Sequence, residues 1–402
     1  MLKRNIIWFQ VDSLRPEFLD TSTNESDNKT FLDKLVSKGD FFSNCISAAP
    51  YTIASEISIF TGLYPHVHGV DGWFKTSPES IKKNIITFTD ILKDEGYYST
   101  CIYESAVRAY VPPYSFDEYH MLEPGIRFPL DKFGNCKTNK FLFCQFSGIH
   151  DDCIRLKGKY TKGDYRKSLE KISEKIEILY NSLCGESDII IIASDHGVRC
   201  VDELEGDHRE NVTGRYLTDK TIKACFSILT KESLEKFTIH DDLVRTLDIV
   251  PTILDLANLK PLRAQGVSLK SIICDEQVPN KIPIPKHVIS QTGGMLTSPW
   301  VPDTWSVRTK DWKYVLTKLE SKEGKSFKKE LYNLVEDEFE VNNLYGIDNG
   351  IAKELQTILD VEVFDYKVDI LDFYKDNLEE HRQILKSRTY PLVLQMKITY
   401  KN

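Results

Sequence analysis

NIIWFQVDSLRP, residues 5–16, decides the fold. Asn5 to Val11 is a continuous apolar run closed by Asp12, the pattern of a strand buried on both faces of a parallel sheet. DIIIIA at 188–193 repeats that pattern and ends at Ser194, Asp195 and His196. In open α/β sheets ligands bind outside the carboxyl ends of the strands, so Asp12 and Asp195 are expected on one rim. A third run, FLFCQF at 141–146, leads to His150. Between these runs the spacing of Leu169, Ile172, Ile176, Leu179 and Leu183 predicts an amphipathic helix ahead of the second strand.

Beyond residue 295 the texture changes. WSVRTKDWKYVL at 305–316 reads as a hairpin, and ELYNLVEDEFEVNNL at 330–344 as a strand and turn-rich loop before a helix. Residues 1–295 are therefore read as the main domain and 296–402 as a smaller C-terminal α+β subdomain. The Pro-, Tyr- and Phe-rich segment 112–140 reads as a long surface excursion, of the kind that often covers an active site.

The 402 residues can bury one large core, or a main core with a smaller one appended. A formal charge of −8 without a concentrated basic face argues against a nucleic-acid binder. Anionic small substrates stay open, because a local metal and a few basic side chains can hold them whatever the net charge. No stretch approaches the roughly 18 apolar residues of a membrane span. Residues 1–11 lack the apolar core and cleavage site of a signal peptide. Nine cysteines, scattered and odd in number, suit a reducing cytoplasm.

Three separated pieces carry the chemistry: VDSLRP at 11–16, APYTIASEISIFTGLYPHVHGV at 49–70 and SDHG at 194–197. Alone, Asp12 reads as a turn residue and Thr52 as a helix N-cap. Together, in this order, they resemble the sulfatase-like part of the alkaline phosphatase superfamily. The resemblance extends through IVPTILDL at 249–256, GVSL at 266–269 and the C-terminal SVRTKDWKYV and ELYNL stretches. It implies an α/β fold with a central, mostly parallel sheet flanked by helices. It also implies that Asp12, Thr52, Asp195 and His196 converge on one divalent cation. Two carboxylates would offset the ion's charge, imidazole would add a nitrogen, and coordination would lower the pKa of the threonine hydroxyl until it can attack. A helix beginning near Thr52 would stabilise the anion formed in that attack.

The sequence also departs from true sulfatases. Those carry Cys or Ser in a Cys/Ser-x-Pro-x-Arg motif and convert it to formylglycine, whereas Thr52, Ala54 and Glu56 occupy the three positions here. Oxidised threonine would be a ketone bearing its methyl group, so formylglycine is out of reach. Ser13 replaces the second of two successive aspartates; with one hard oxygen fewer and a histidine nitrogen present, Mn²⁺ or Zn²⁺ is expected ahead of Ca²⁺ or Mg²⁺. Threonine-nucleophile relatives act on phosphate or phosphonate esters, which implies a hydrolase working through a phosphothreonine on a small anionic ester or glycan-linked substrate. The alternatives are a soluble phosphoglycerol- or phosphoethanolamine-type transferase, a sulfuric ester hydrolase and a non-catalytic relative.

His150 and His208 are candidate leaving-group or substrate-contacting residues, since imidazole titrates near working pH. Gly148 stands where relatives carry the aspartate of an Asp-x-His pair, which weakens the case for a second metal. Ser13 and Arg15 are read as substrate-binding, Arg15 through a phosphoryl oxygen or, alternatively, as a surface salt-bridge residue. His66 and His68 read as structural, and Asp151 with Asp152 as a solvated loop edge.

Overall fold

The computed structural model describes residues 4–22, 28–70, 85–104, 116–122, 131–203, 214, 216–231, 237–274, 285–293, 302–321 and 324–365. A nine-stranded sheet runs through its centre. The strands are β1 (Ile6–Val11), β2 (Asp40–Ile46), β3 (Tyr98–Tyr103), β4 (Glu118–Met121), β5 (Lys140–Phe146), β6 (Ile189–Ala193), β7 (Lys223–Leu229), β8 (Thr238–His240) and β9 (Val244–Arg245). Their order is β4-β3-β5-β1-β6-β7-β2-β8, with β9 also paired to β2. β1 lies between β5 and β6 and is parallel to both. β7 is antiparallel to its two neighbours, β6 and β2. Two reversals cancel, so β2 points the same way as β1.

That direction decides where the chemistry sits, because the carboxyl ends of β1, β2, β5 and β6 share one rim. Every residue of β1 and β6 is buried, as continuous apolar runs require. Alternate side chains of β1 enter opposite cores. Ile6 and Trp8 join one face, where Trp8 stacks on Phe60 at 5.5 Å. Ile7, Phe9 and Val11 join the other, under the helix Lys162–Leu183. Tyr165, Leu169, Ile172, Ile176 and Leu179 of that helix are buried in a stripe, and Thr161 with Asp164 closes its start in a capping box. No described helix is long and apolar enough to cross a membrane.

A second, antiparallel sheet contains β10 (Val288–Thr292), β11 (Thr304–Arg308), β12 (Trp312–Ser321) and β13 (Gly324–Asn333) in that order. The expected hairpin at 305–316 falls on β11 and β12, and the helix Asn349–Leu359 follows the turn-rich loop. This sheet opens at Val288, a few residues before the boundary expected at 296. Ile289, Trp305, Val307, Tyr314, Leu316 and Leu331 share a core with Tyr51, Ile53, Ala54 and Ile57 of the Thr52 segment. Of the excursion at 112–140, residues 116–122 and 131–140 are described and include β4; the remainder lies outside the described residues.

Candidate active site

Asp12 stands at the end of β1, and Asp195 and His196 follow β6 on the same rim. All three are buried. Thr52 is reached from β2 through residues 47–51 and is the first residue of the helix Thr52–Thr61. Its N-cap is Tyr51, which makes no side-chain cap bond, so the cap role read for Thr52 is not the one its hydroxyl plays. The Thr52 hydroxyl instead lies 3.4 Å from Asp12 Oδ2 and 3.3 Å from His196 Nε2. The structure thus brings together four residues that the sequence spreads from position 12 to position 196.

The donor set suits a cation. One ligand atom each from Asp12, Asp195 and His196 lies within 4.8 Å of the others. His196 Nε2 is 3.8 Å from Asp12 Oδ1 and 3.4 Å from Asp195 Oδ2. His196 Nδ1 donates to the carbonyl of Gly197 at 2.8 Å, which leaves the Nε2 lone pair facing the carboxylates. Two buried carboxylates side by side are costly without a compensating positive charge. A divalent ion held by two hard oxygens and an imidazole nitrogen would supply it.

The bend after β1 orients these groups. Ser13 has φ of 66°, in the left-handed region that L residues avoid. From there its backbone N–H donates to Asp195 Oδ1 at 3.1 Å and its hydroxyl donates to Asp12 Oδ1 at 2.8 Å. Ser13, expected to touch substrate, is buried and ties the two carboxylates to one another. Gly197 has a steric reason to be glycine: a Cβ there would fall 2.6 Å from the Lys220 carbonyl oxygen and 2.9 Å from that of Lys223.

Arg15 is a correction. Its guanidinium is fully buried and its donors are committed to Glu17, to Glu203 and to the Val198 carbonyl, at 2.6 to 3.0 Å. Burial pulls its pKa down, but the Glu203 hydrogen bond and the Glu17 and Glu203 charges outweigh burial and raise it. Arg15 is neither a surface salt bridge nor placed to meet a phosphoryl group; it fastens the segment after β1 to the segment after β6.

His150 lies on the same rim in the helix Gly148–Arg155, with Nδ1 3.6 Å from Asp151 Oδ1. Asp151 and Asp152 belong to that helix and not to a loop; Asp151 accepts from the Ser147 hydroxyl, and Asp152 pairs with Arg155. His208 lies outside the described residues. His68 is buried and bonded to the Ser58 hydroxyl at 2.9 Å, as a structural histidine would be. Glu56 is buried one turn beyond Thr52 and accepts from the side-chain amide of Gln145 at the end of β5.

Ser55 and Ser47 are parts of the site that the sequence did not single out. The Ser55 hydroxyl donates to the Asp195 carbonyl at 2.5 Å and lies 2.8 Å from the Ser47 hydroxyl. Ser55 thereby couples the Thr52 helix to the end of β6. Small hydroxyl residues on a helix buried along its length are the one available signal.

Residues 4–110 match the sulfatase family model, and residues 206–369 match that of the C-terminal part of N-sulphoglucosamine sulphohydrolase. An arylsulfatase of Clostridium perfringens is 30% identical over 141 residues, a stretch that covers 34% of this chain and only 28% of that protein. Solved structures extend the likeness in fold. A protein described as a sulfatase from Bacteroides thetaiotaomicron has a TM-score of 0.71 at 17% identity, over 93% of this chain and 94% of that one. A phosphonate monoester hydrolase of Agrobacterium radiobacter has a TM-score of 0.65 at 14% identity, over 90% of this chain and 95% of that one. A third, solved in complex with its substrate D-glucosamine-2-N,6-O-disulfate, has a TM-score of 0.68 at 15% identity, over 94% and 99%.

Proposed function

The chain belongs to the sulfatase-like part of the alkaline phosphatase superfamily, and from that premise we propose that it is a metal-dependent hydrolase of phosphate or phosphonate esters with Thr52 as nucleophile. The observation that carries this reading is the position of the Thr52 hydroxyl, 3.4 Å from Asp12 Oδ2 and 3.3 Å from His196 Nε2 at the start of a helix. Asp12, Asp195, His196 and Thr52 would hold the ion, with Mn²⁺ or Zn²⁺ preferred to Ca²⁺ or Mg²⁺ by the donor set. When bound, it would supply the positive charge that makes the threonine hydroxyl acidic enough to react.

The steps assigned to the chain are then short. Thr52 Oγ1 bonds to phosphorus as the ester oxygen departs, and the hydroxyl proton is lost to solvent. His150 is assigned the proton delivered to the leaving oxygen, and His208 contact with the substrate's anionic group. The first N–H groups of the helix Thr52–Thr61 lack partners within the helix and favour the charge that collects on the phosphoryl oxygens. Water then attacks phosphorus, releases the product and returns the Thr52 hydroxyl.

Threonine in place of Cys or Ser favours phosphorus over formylglycine-dependent sulfate chemistry, and the likeness to a phosphonate monoester hydrolase agrees with it. The second reading, sulfuric ester hydrolysis, is favoured by the arylsulfatase match. A small anionic ester or a glycan-linked one is the proposed substrate, and a reducing cytoplasm, by cysteine count, the proposed compartment. Wild type and Thr52→Ala assayed with Mn²⁺ or Zn²⁺ on phosphomonoesters, phosphodiesters, phosphonates and sulfate esters test the reading. Phosphorus-ester turnover in wild type alone is expected; faster sulfate-ester turnover would favour the second reading. An added acceptor alcohol that captured the phosphoryl product in place of water would identify a transferase.

A further inference from the structure

Ser13 holds Asp12 and Asp195 together from a left-handed backbone, and a serine does not stay there unaided. What holds it comes from the far side of the bend. Tyr165, fully buried in the first turns of the helix Lys162–Leu183, donates its hydroxyl to the Ser13 carbonyl at 2.9 Å and accepts the Arg15 N–H at 2.7 Å. One phenol oxygen thus bridges the two ends of the bend. The Ser194 hydroxyl braces the middle, donating to the Leu14 carbonyl at 2.6 Å and accepting the Cys225 N–H at 2.7 Å. Burial pushes the Tyr165 phenol well above its ordinary pKa although the Arg15 charge pulls the other way, so the donating proton stays in place.

Resting on the cation site described above, we propose that the Tyr165 hydroxyl is a positioning group for that site: it keeps Ser13 in its left-handed form and so keeps the Asp12 and Asp195 carboxylates converged. Tyr165 touches neither carboxylate. Its ring has a separate job, stacked on Phe18 at 3.8 Å in the core. Removing the oxygen alone therefore separates positioning from packing.

The test is a cycle of wild type, Tyr165→Phe, Ser13→Gly and the double variant. Mn²⁺ alone is titrated calorimetrically without substrate, and the melting temperature of each metal-free protein is recorded. Tyr165→Phe should weaken Mn²⁺ binding about tenfold, the low end for residues that orient metal ligands. With Ser13→Gly, where the left-handed backbone is no longer strained, the further loss should shrink to about twofold. Ser194→Ala is an independent variant should Tyr165→Phe fold poorly, with a severalfold loss expected. Unchanged Mn²⁺ binding in either folded variant, with only the metal-free melting temperature lowered, would overturn the proposal. An equal loss in the wild-type and Ser13→Gly backgrounds would overturn it too. Wild type that binds no Mn²⁺ would instead bring down the cation reading and this inference with it.

Discussion

Asp12, Asp195 and His196 reach the site on the ends of two strands whose every residue is buried. Thr52 reaches it differently, on residues 47–51, which are braced from the second sheet. The Ser290 hydroxyl donates to the Ser47 carbonyl at 2.6 Å, and Gln291 N–H donates to the Ala48 carbonyl at 2.9 Å. The side proposed to hold the ion is thus part of the central sheet, while the side that carries the proposed nucleophile depends on a strand some 240 residues downstream in the chain. Binding the ion and using the nucleophile should respond to different substitutions.

The largest separation should come from Thr52→Ala against Asp195→Ala. Thr52→Ala should lower turnover on the order of 10⁴-fold or more, as loss of a nucleophile does, while one ligand fewer leaves metal bound. Asp195→Ala should lose metal too, by more than the roughly 10–100-fold typical of outer-shell changes. Metal analysis beside kinetics checks both, and equal metal loss in the two variants would erase the distinction.

Ser290→Ala should act on the nucleophile side only. It leaves the buried Ser47 carbonyl short of its donor, at a cost of about 1–3 kcal/mol. Turnover should fall about tenfold at an unchanged metal dissociation constant; a matching loss of metal affinity would mean that the two sides are not separable. Gly197→Ala belongs to the other side. Its Cβ would press on two backbone carbonyls, and overpacking of this kind costs about 1–3 kcal/mol, readable in a denaturant melt. A melt indistinguishable from wild type would show that the segment yields freely.

The smallest effect is in acid. Burial raises the Glu203 pKa, but the hydrogen bond and charge of Arg15 outweigh it and leave it below the ordinary value. Asp219 is likewise held well below the carboxylate range: burial raises it, and the Lys313 and Arg308 charges prevail. Depressed carboxylates contribute stability in full above the unfolded-state values, about 4, and lose it as pH falls toward the folded ones. Stability from urea melts should be level from pH 7 to about 5 and decline below. A level profile down to pH 3 would mean that these pairs contribute nothing.

The strands that lead to Asp12 and Asp195 were legible in the sequence because burial on both faces leaves a signature of its own: NIIWFQV and DIIIIA can hardly be other than interior strands, and an acid follows each within two residues. Thr52 was legible only with the segments around it. What no local pattern carries is the set of long-range hydrogen bonds. Nothing near Arg15 announces that Glu203 will take its guanidinium, so a buried brace read as a substrate contact. Nothing near Tyr165 points to Ser13, 152 positions away. The left-handed turn at Ser13 was hidden for the same reason, since serine favours no such backbone and only the assembled contacts impose it.

Trapping the covalent intermediate tests the central claim most directly. Metal-loaded protein mixed with a phosphodiester or phosphonate ester substrate, quenched in acid and digested, should carry a phosphoryl or phosphonyl ester on the peptide holding Thr52. That adduct should be absent from Thr52→Ala. A label on any other residue, or full turnover in Thr52→Ala, would contradict the account.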